Sequence, residues 1–125
     1  MERLLRIGRV SSIDYGTGMM SLTYPQYDNA TTAKMPLFAF AGEYKMPAIG
    51  QNMLAMHFAS GSAAGIVLGQ IWNEASPCPG VRPGVWRHEL GPEPGEAFME
   101  YDPETKTLTI SAPNIVLQGS VSQGG

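Results

Sequence analysis

The side chains able to do acid–base chemistry gather late in the chain: Glu89, Glu93, Glu96, Glu100, Asp102 and Glu104. Two carboxylates sharing a pocket can divide the roles of acid and base, or of acid and nucleophile. These six fall in a proline-rich stretch and a hairpin, with no strand ends to converge them, so they read as a solvated acidic face. His57 and His88 stand 31 positions apart, with neither His-x-His nor His-Glu-x-x-His, which is no metal-ligand pattern. Cys78, the one cysteine, excludes an internal disulfide and a Cys-x-x-Cys knuckle. Gly16-Thr17-Gly18 and Gly61-Ser62-Ala63-Ala64-Gly65 lack the lysine and the following helix that cradle a phosphate. No Gly-x-Ser-x-Gly elbow is present. The expectation is a protein with no catalytic, cofactor or metal site.

The elements that would position any site are short. Of 125 residues, 43% are hydrophobic, enough for one modest core and a short appendage. Charged residues are 15%, against about 25% in ordinary soluble proteins. Fifteen glycines and ten prolines make up a fifth of the chain, which favours many short strands joined by tight turns. A net charge of −3 argues against gripping nucleic acid or an anionic membrane through bulk electrostatics. The longest apolar stretches, Met35 to Gly42 and Ala63 to Gly69, fall far short of the roughly 20 residues that span a bilayer. Met1-Glu2-Arg3-Leu4-Leu5-Arg6 lacks the apolar run of a secretory signal, so the expectation is a soluble protein made in a reducing cytoplasm.

Five strands are predicted in the first seventy residues. Leu5 to Asp14 runs into the turn Tyr15-Gly16-Thr17-Gly18, and Met19 to Tyr24 returns. Pro25 to Thr32 reads as a loop, Lys34 to Phe40 as a third strand entering at a sheet edge because of Pro36. The turn Met46-Pro47-Ala48-Ile49-Gly50 delivers Asn52 to Phe58, and Ser60-Gly61-Ser62 joins it to the apolar Gly65 to Ile71. This pattern predicts a five-stranded OB-fold barrel over residues 1–73, with Val10, Leu22, Leu54, Met56, Ile66, Leu68 and Ile71 in its core. A small Greek-key sandwich is the structural competitor.

Residues 74–96 read as an extended linker. Pro77, Pro79, Pro83, Pro92 and Pro94 lack backbone donors, so no regular sheet is expected there, and Trp86 is its apolar anchor. Ala97 to Tyr101, the turn Asp102-Pro103-Glu104-Thr105 and Lys106 to Ala112 then read as a hairpin. Leu108, Ile110 and Ala112 share one face, and the pattern restarts with Ile115, Val116 and Leu117. No residue from Thr107 to Gly125 carries a charged side chain. Bare strand edges without lysines invite pairing with another chain. Three copies winding together would cover them, with Leu108, Ile110, Ala112, Ile115 and Leu117 lining the shared axis. Residues 97–125 are thus predicted to form a short trimeric β-prism, with a flexible end from residue 120.

Arg6-Ile7-Gly8-Arg9-Val10, then Pro47-Ala48-Ile49-Gly50, Met53-Leu54-Ala55-Met56-His57-Phe58-Ala59-Ser60-Gly61 and Gly65-Ile66-Val67-Leu68-Gly69-Gln70-Ile71-Trp72-Asn73 form an ordered set. It resembles the OB-fold domain of the central spike, or baseplate assembly protein V, family of contractile-tailed phages. It is similar also to the valine-glycine-repeat spikes of type VI secretion. The resemblance spans residues 6–73 and continues more loosely beyond. It implies a homotrimeric spike in the baseplate of a virion or injection particle, assembled in the bacterial cytoplasm and transmitting the force of contraction. It also implies a tail-tube hub protein above the barrel and a conical tip protein at the far end, similar to the proline-alanine-alanine-arginine tips. The target membrane would be met only on piercing. The His-x-His iron motif of some spikes is absent here, and the stretch between Asn73 and Phe98 is too short for the lysozyme domain that others insert. The alternative is an OB-fold module that stacks single-stranded nucleic acid or an oligosaccharide on Tyr15, Tyr24, Tyr27, Phe38 and Phe40. The few scattered Arg and Lys count against a nucleic-acid groove.

Overall fold

The computed structural model describes residues 4–58, 64–74 and 77–124, and in them the chain is all-β with antiparallel sheets. It divides into two compact units, Met1–Cys78 and Pro79–Gly125.

In the first unit, strand β1 (Leu5–Asp14) turns into β2 (Met19–Tyr24). The carbonyl of Asp14 accepts from the N–H groups of Thr17 and Gly18 at 3.3 and 2.9 Å, while its side chain accepts from Gly16 N–H at 3.1 Å. Gly18 takes φ 73°, a left-handed value that costs glycine nothing. A bulge between Val10 and Ser12 divides β1 into two working halves. Leu5 to Arg9 pairs with β5 (Asn52–His57), and the stretch from Arg9 to Asp14 pairs with β2. The stretch predicted as a loop holds a 3₁₀ turn, Pro25–Tyr27, then two residues, β3 (Ala30–Thr31), that pair with β2. Strand β6 (Gly65–Gln70) completes the order β3-β2-β1-β5-β6. The predicted Ser60-Gly61-Ser62 connection lies outside the described residues.

The predicted third strand is much shorter than Lys34 to Phe40. Only β4 (Met35–Pro36) pairs with β2. Leu37 then makes one isolated parallel bridge to Val67, where Phe38 N–H donates to the Val67 carbonyl at 2.8 Å. Pro36 has no N–H to give, and a 3₁₀ turn at Phe40–Gly42, with Ala41 at φ 53°, ends the extended run. Among the described residues no continuous ladder closes this sheet into a barrel.

The core consists of Val10, Met20, Leu22, Tyr24, Met35, Met53, Ala55 and Val67. Val10 and Leu22 are where the sequence places them. Strands β5 and β6 are turned the other way. Met53, Ala55 and His57 point in, while Leu54 is half-buried and Met56 is 36% exposed. Val67 points in, and Ile66, Leu68 and Ile71 lie outside the core. Both faces of these strands are apolar, so alternation sets parity without saying which parity faces inward. The partner strand decides it: Leu5 pairs with Met56 and Ile7 with Leu54, opposite to the buried side of β1 at Arg6, Gly8 and Val10.

The inner side also buries polar groups in place of the predicted leucine and methionine. The Tyr24 hydroxyl and His57 Nε2 are 2.5 Å apart, and the Arg6 guanidinium lies 4.8 Å from the Tyr27 ring centroid and 5.5 Å from that of Tyr24. Burial raises the Tyr24 pKa, Arg6 opposing this and Tyr27 adding to it. Close packing sets the glycines here. A Cβ on Gly65 would stand 2.5 Å from the Met56 carbonyl oxygen, a backbone atom of the paired strand. Gly65→Ala is therefore expected to cost about 2 kcal/mol by forcing β5 and β6 apart, read as a lower urea midpoint with unchanged slope.

In the second unit, β7 (Trp86–Glu89), β8 (Phe98–Asp102) and β9 (Thr107–Ser111) form an antiparallel sheet in the order β7-β8-β9. The predicted linker thus contains a strand. Its prolines flank Trp86–Glu89 on both sides, so the four residues keep every N–H that pairing with β8 requires. Asp102 Oδ1 accepts from Glu104 N–H at 3.0 Å, and Lys106 takes φ 57° to complete the turn into β9.

Candidate functional site

The register of the three-stranded sheet sorts its side chains into two unlike faces. Residues directly opposite one another point to the same side. Trp86, Tyr101 and Leu108 therefore form one row, and His88, Met99 and Ile110 the next. The Trp86 and His88 rings lie 6.2 Å apart at 31°. In the single chain this face is open: Trp86 is 52%, Leu108 55% and Ile110 50% exposed.

The other face carries the charges. Arg87 donates through Nη1 to Glu100 Oε1 at 2.9 Å and through Nε to Glu89 Oε2, with its guanidinium 3.7 Å from the Phe98 ring centroid. Arg82 Nη2 reaches Asp102 Oδ2 at 3.0 Å and Glu100 Oε2 at 3.5 Å. The hydrogen bonds to Glu89 and then Glu100 raise the Arg87 pKa further above its already basic value. Desolvation pushes the Asp102 pKa up, but Glu104 N–H, the Arg82 guanidinium and Thr105 N–H outweigh it, leaving the pKa lowered.

Three of the predicted acidic residues are thus tied to arginines, and Glu89 also accepts from Gly95 N–H at 2.7 Å. They brace one face of the sheet, and with side chains only 14–18% exposed they are less solvated than the sequence suggests. Asp102 yields a signed expectation. Its folded pKa lies below the ordinary 3.8, so its stabilisation is present above that pH and is lost as pH falls through the lower folded value. Asp102→Asn should remove that stabilisation where the carboxylate is ionised, lowering the melting temperature at pH 7 while making little difference below the folded pKa. The variant therefore loses less stability on acidification.

The predicted axis residues separate into two groups. Leu108 and Ile110 share the open face on β9. Ala112, Ile115 and Leu117 lie beyond that strand, with Ala112 half-buried and Ile115 and Leu117 exposed. Among the described residues, none from 113 to 124 shares a backbone hydrogen bond with another. Sequence reasoning missed Trp86, His88, Met99 and Tyr101 as members of the same face. The alternation Trp86-Arg87-His88-Glu89 was the available signal, obscured by the surrounding prolines. Among the described residues no group of three or more His, Cys, Asp or Glu is placed to hold a metal ion. No protein-family model and no curated protein matches the chain.

Proposed function

We propose that the chain is a structural subunit of a homotrimeric spike in a contractile injection machine, not an enzyme. The observation that carries the reading is the uncovered apolar face of β7-β8-β9, continued by an uncharged, extended run whose backbone has no partner among the described residues. An apolar sheet face and a bare edge strand call for cover. Three copies supply it by placing Leu108, Ile110, Ala112, Ile115 and Leu117 around one axis as a short β-prism.

In this reading the first unit is a five-stranded OB-type barrel. Support comes from the strand order, in which β1 sits between β2 and β5, and from the parallel bridge between Leu37 and Val67 where the two sheet edges meet. The ordered residue set from Arg6 to Asn73 supplies the resemblance to the phage spikes. The barrel docks on a tail-tube hub protein, the prism points toward a conical tip protein, and the particle meets the target membrane on piercing. Strands shared among three chains separate only when many hydrogen bonds break together, which suits a part that transmits force. Light scattering should give about 40 kDa, three chains of 13.4 kDa. A stable monomer at micromolar concentration overturns the reading.

The exposed aromatics Tyr15, Phe38 and Phe40 favour, as a second reading, a module that stacks bases or sugars. Tyr24, another candidate for that platform, is fully buried in the core. A labelled oligonucleotide titrated at low salt separates the two readings: tight, salt-sensitive binding supports the module, and none supports the spike.

A further inference from the structure

We infer that the Asp102–Pro103 peptide bond is a latent self-cleavage site, and that the segment from Arg82 to Val85 guards it by engaging the Asp102 carboxylate. The chemistry needs only this dipeptide and water. The side chain of Asp102 is tethered beside its own backbone carbonyl, so attack is intramolecular. A carboxylate oxygen bonds to the Asp102 carbonyl carbon and closes a cyclic anhydride. The bond to the Pro103 nitrogen breaks, and that nitrogen, part of a tertiary amide, takes a proton from acidic solvent and leaves as a secondary amine. Water then opens the anhydride, returning the side-chain carboxylate and making a new α-carboxylate. One water is consumed, and nothing is oxidised or reduced.

In the fold that carboxylate is occupied. Oδ1 accepts from Glu104 N–H at 3.0 Å, Oδ2 accepts from Arg82 Nη2 at 3.0 Å, and Thr105 N–H is a further donor to the group. Each contact takes up a lone pair that attack requires. Arg82 is placed by a turn of its own, in which Val85 N–H donates to the Arg82 carbonyl at 3.3 Å. Gly84, at φ 78°, passes so close to Pro103 that a Cβ there would stand 3.3 Å from the proline Cγ. The residues leading into β7 thus meet both halves of the bond, a cation against the aspartate and a glycine against the proline ring. Cleavage separates residues 103–125, which carry β9 and the uncharged run after it, from the rest of the chain. The inference does not depend on how many copies assemble.

The test uses the full chain at about pH 4.5, where Asp102 is largely ionised with or without the arginine. Mass spectrometry follows the fragment that begins at Pro103. Unfolded in urea, the parent chain should release this fragment, and Pro103→Ala should not. In the folded chain Arg82→Gln should release it about threefold faster than the parent, the worth of one exposed ion pair. Arg82→Lys keeps a cation within reach and should match the parent. Glu100→Gln removes the other partner of Arg82 and weakens the charged face without touching the Asp102 contact, so it too should match the parent. Equal acceleration in Glu100→Gln assigns the protection to general stability and overturns the guard, as does an Arg82→Gln rate equal to that of the parent. An unfolded parent chain that yields no such fragment overturns the cleavage site itself.

Discussion

If the proposed trimer forms as described, Ile110→Asp is expected to dissolve it into monomers that keep their fold. In the single chain Ile110 is half exposed, on the open face of β7-β8-β9, so an aspartate there meets water and costs the monomer little. In three assembled copies of the proposed trimer the same substitution places three carboxylates around one line, with no lysine or arginine among the side chains of that face. An unpaired buried charge costs several kcal/mol even after relaxation, enough to abolish a marginal assembly. Light scattering should fall to about the single-chain mass of 13.4 kDa, and the melting temperature should become independent of concentration. Thr109→Lys, one residue away on the charged face beside Glu100, should leave the mass unchanged. A trimer of undiminished stability in Ile110→Asp removes that residue from the axis.

Leu22→Ala should produce the largest loss of stability within the first unit. Leu22 is fully buried on β2, opposite Val10, in a core of eight buried apolar residues among those described. Truncation removes its transfer energy and leaves a cavity that a sheet braced by β1, β3 and β4 cannot collapse to fill, a cost of about 3 kcal/mol. For a small domain that is a large share of the total. Ile49→Ala, at an exposed position outside the strands, should cost less than about 0.5 kcal/mol. Urea unfolding compares the two, and similar midpoints would mean that the core lies elsewhere.

The positions of the strands were legible because alternation and turn chemistry are local. Leu5 to Asp14, Met19 to Tyr24, Asn52 to Phe58 and Gly65 to Ile71 predict β1, β2, β5 and β6 within a residue or two. The same local rules missed β7, since prolines on both sides of Trp86–Glu89 read as a barrier when they only bound a four-residue strand. They also extended the third strand to Phe40, where Pro36 and the left-handed Ala41 cut it short.

Composition and patterning alone determined that the chain is all-β, that it carries its acidic surplus late, and that its last nineteen residues hold no charged side chain. Those properties follow from residue type and nearest neighbours. Which face of each strand turns inward was decided only in three dimensions. Leu54, Met56, Ile66 and Leu68 are no less hydrophobic than Met53 and Val67, so burial depended on register against β1, which joins residues nearly fifty positions apart. The same holds for the open face at Trp86, Tyr101 and Leu108. Three strands from separate stretches of sequence make it, and hydrogen bonding across them, not the character of any one residue, sets these side chains in a row.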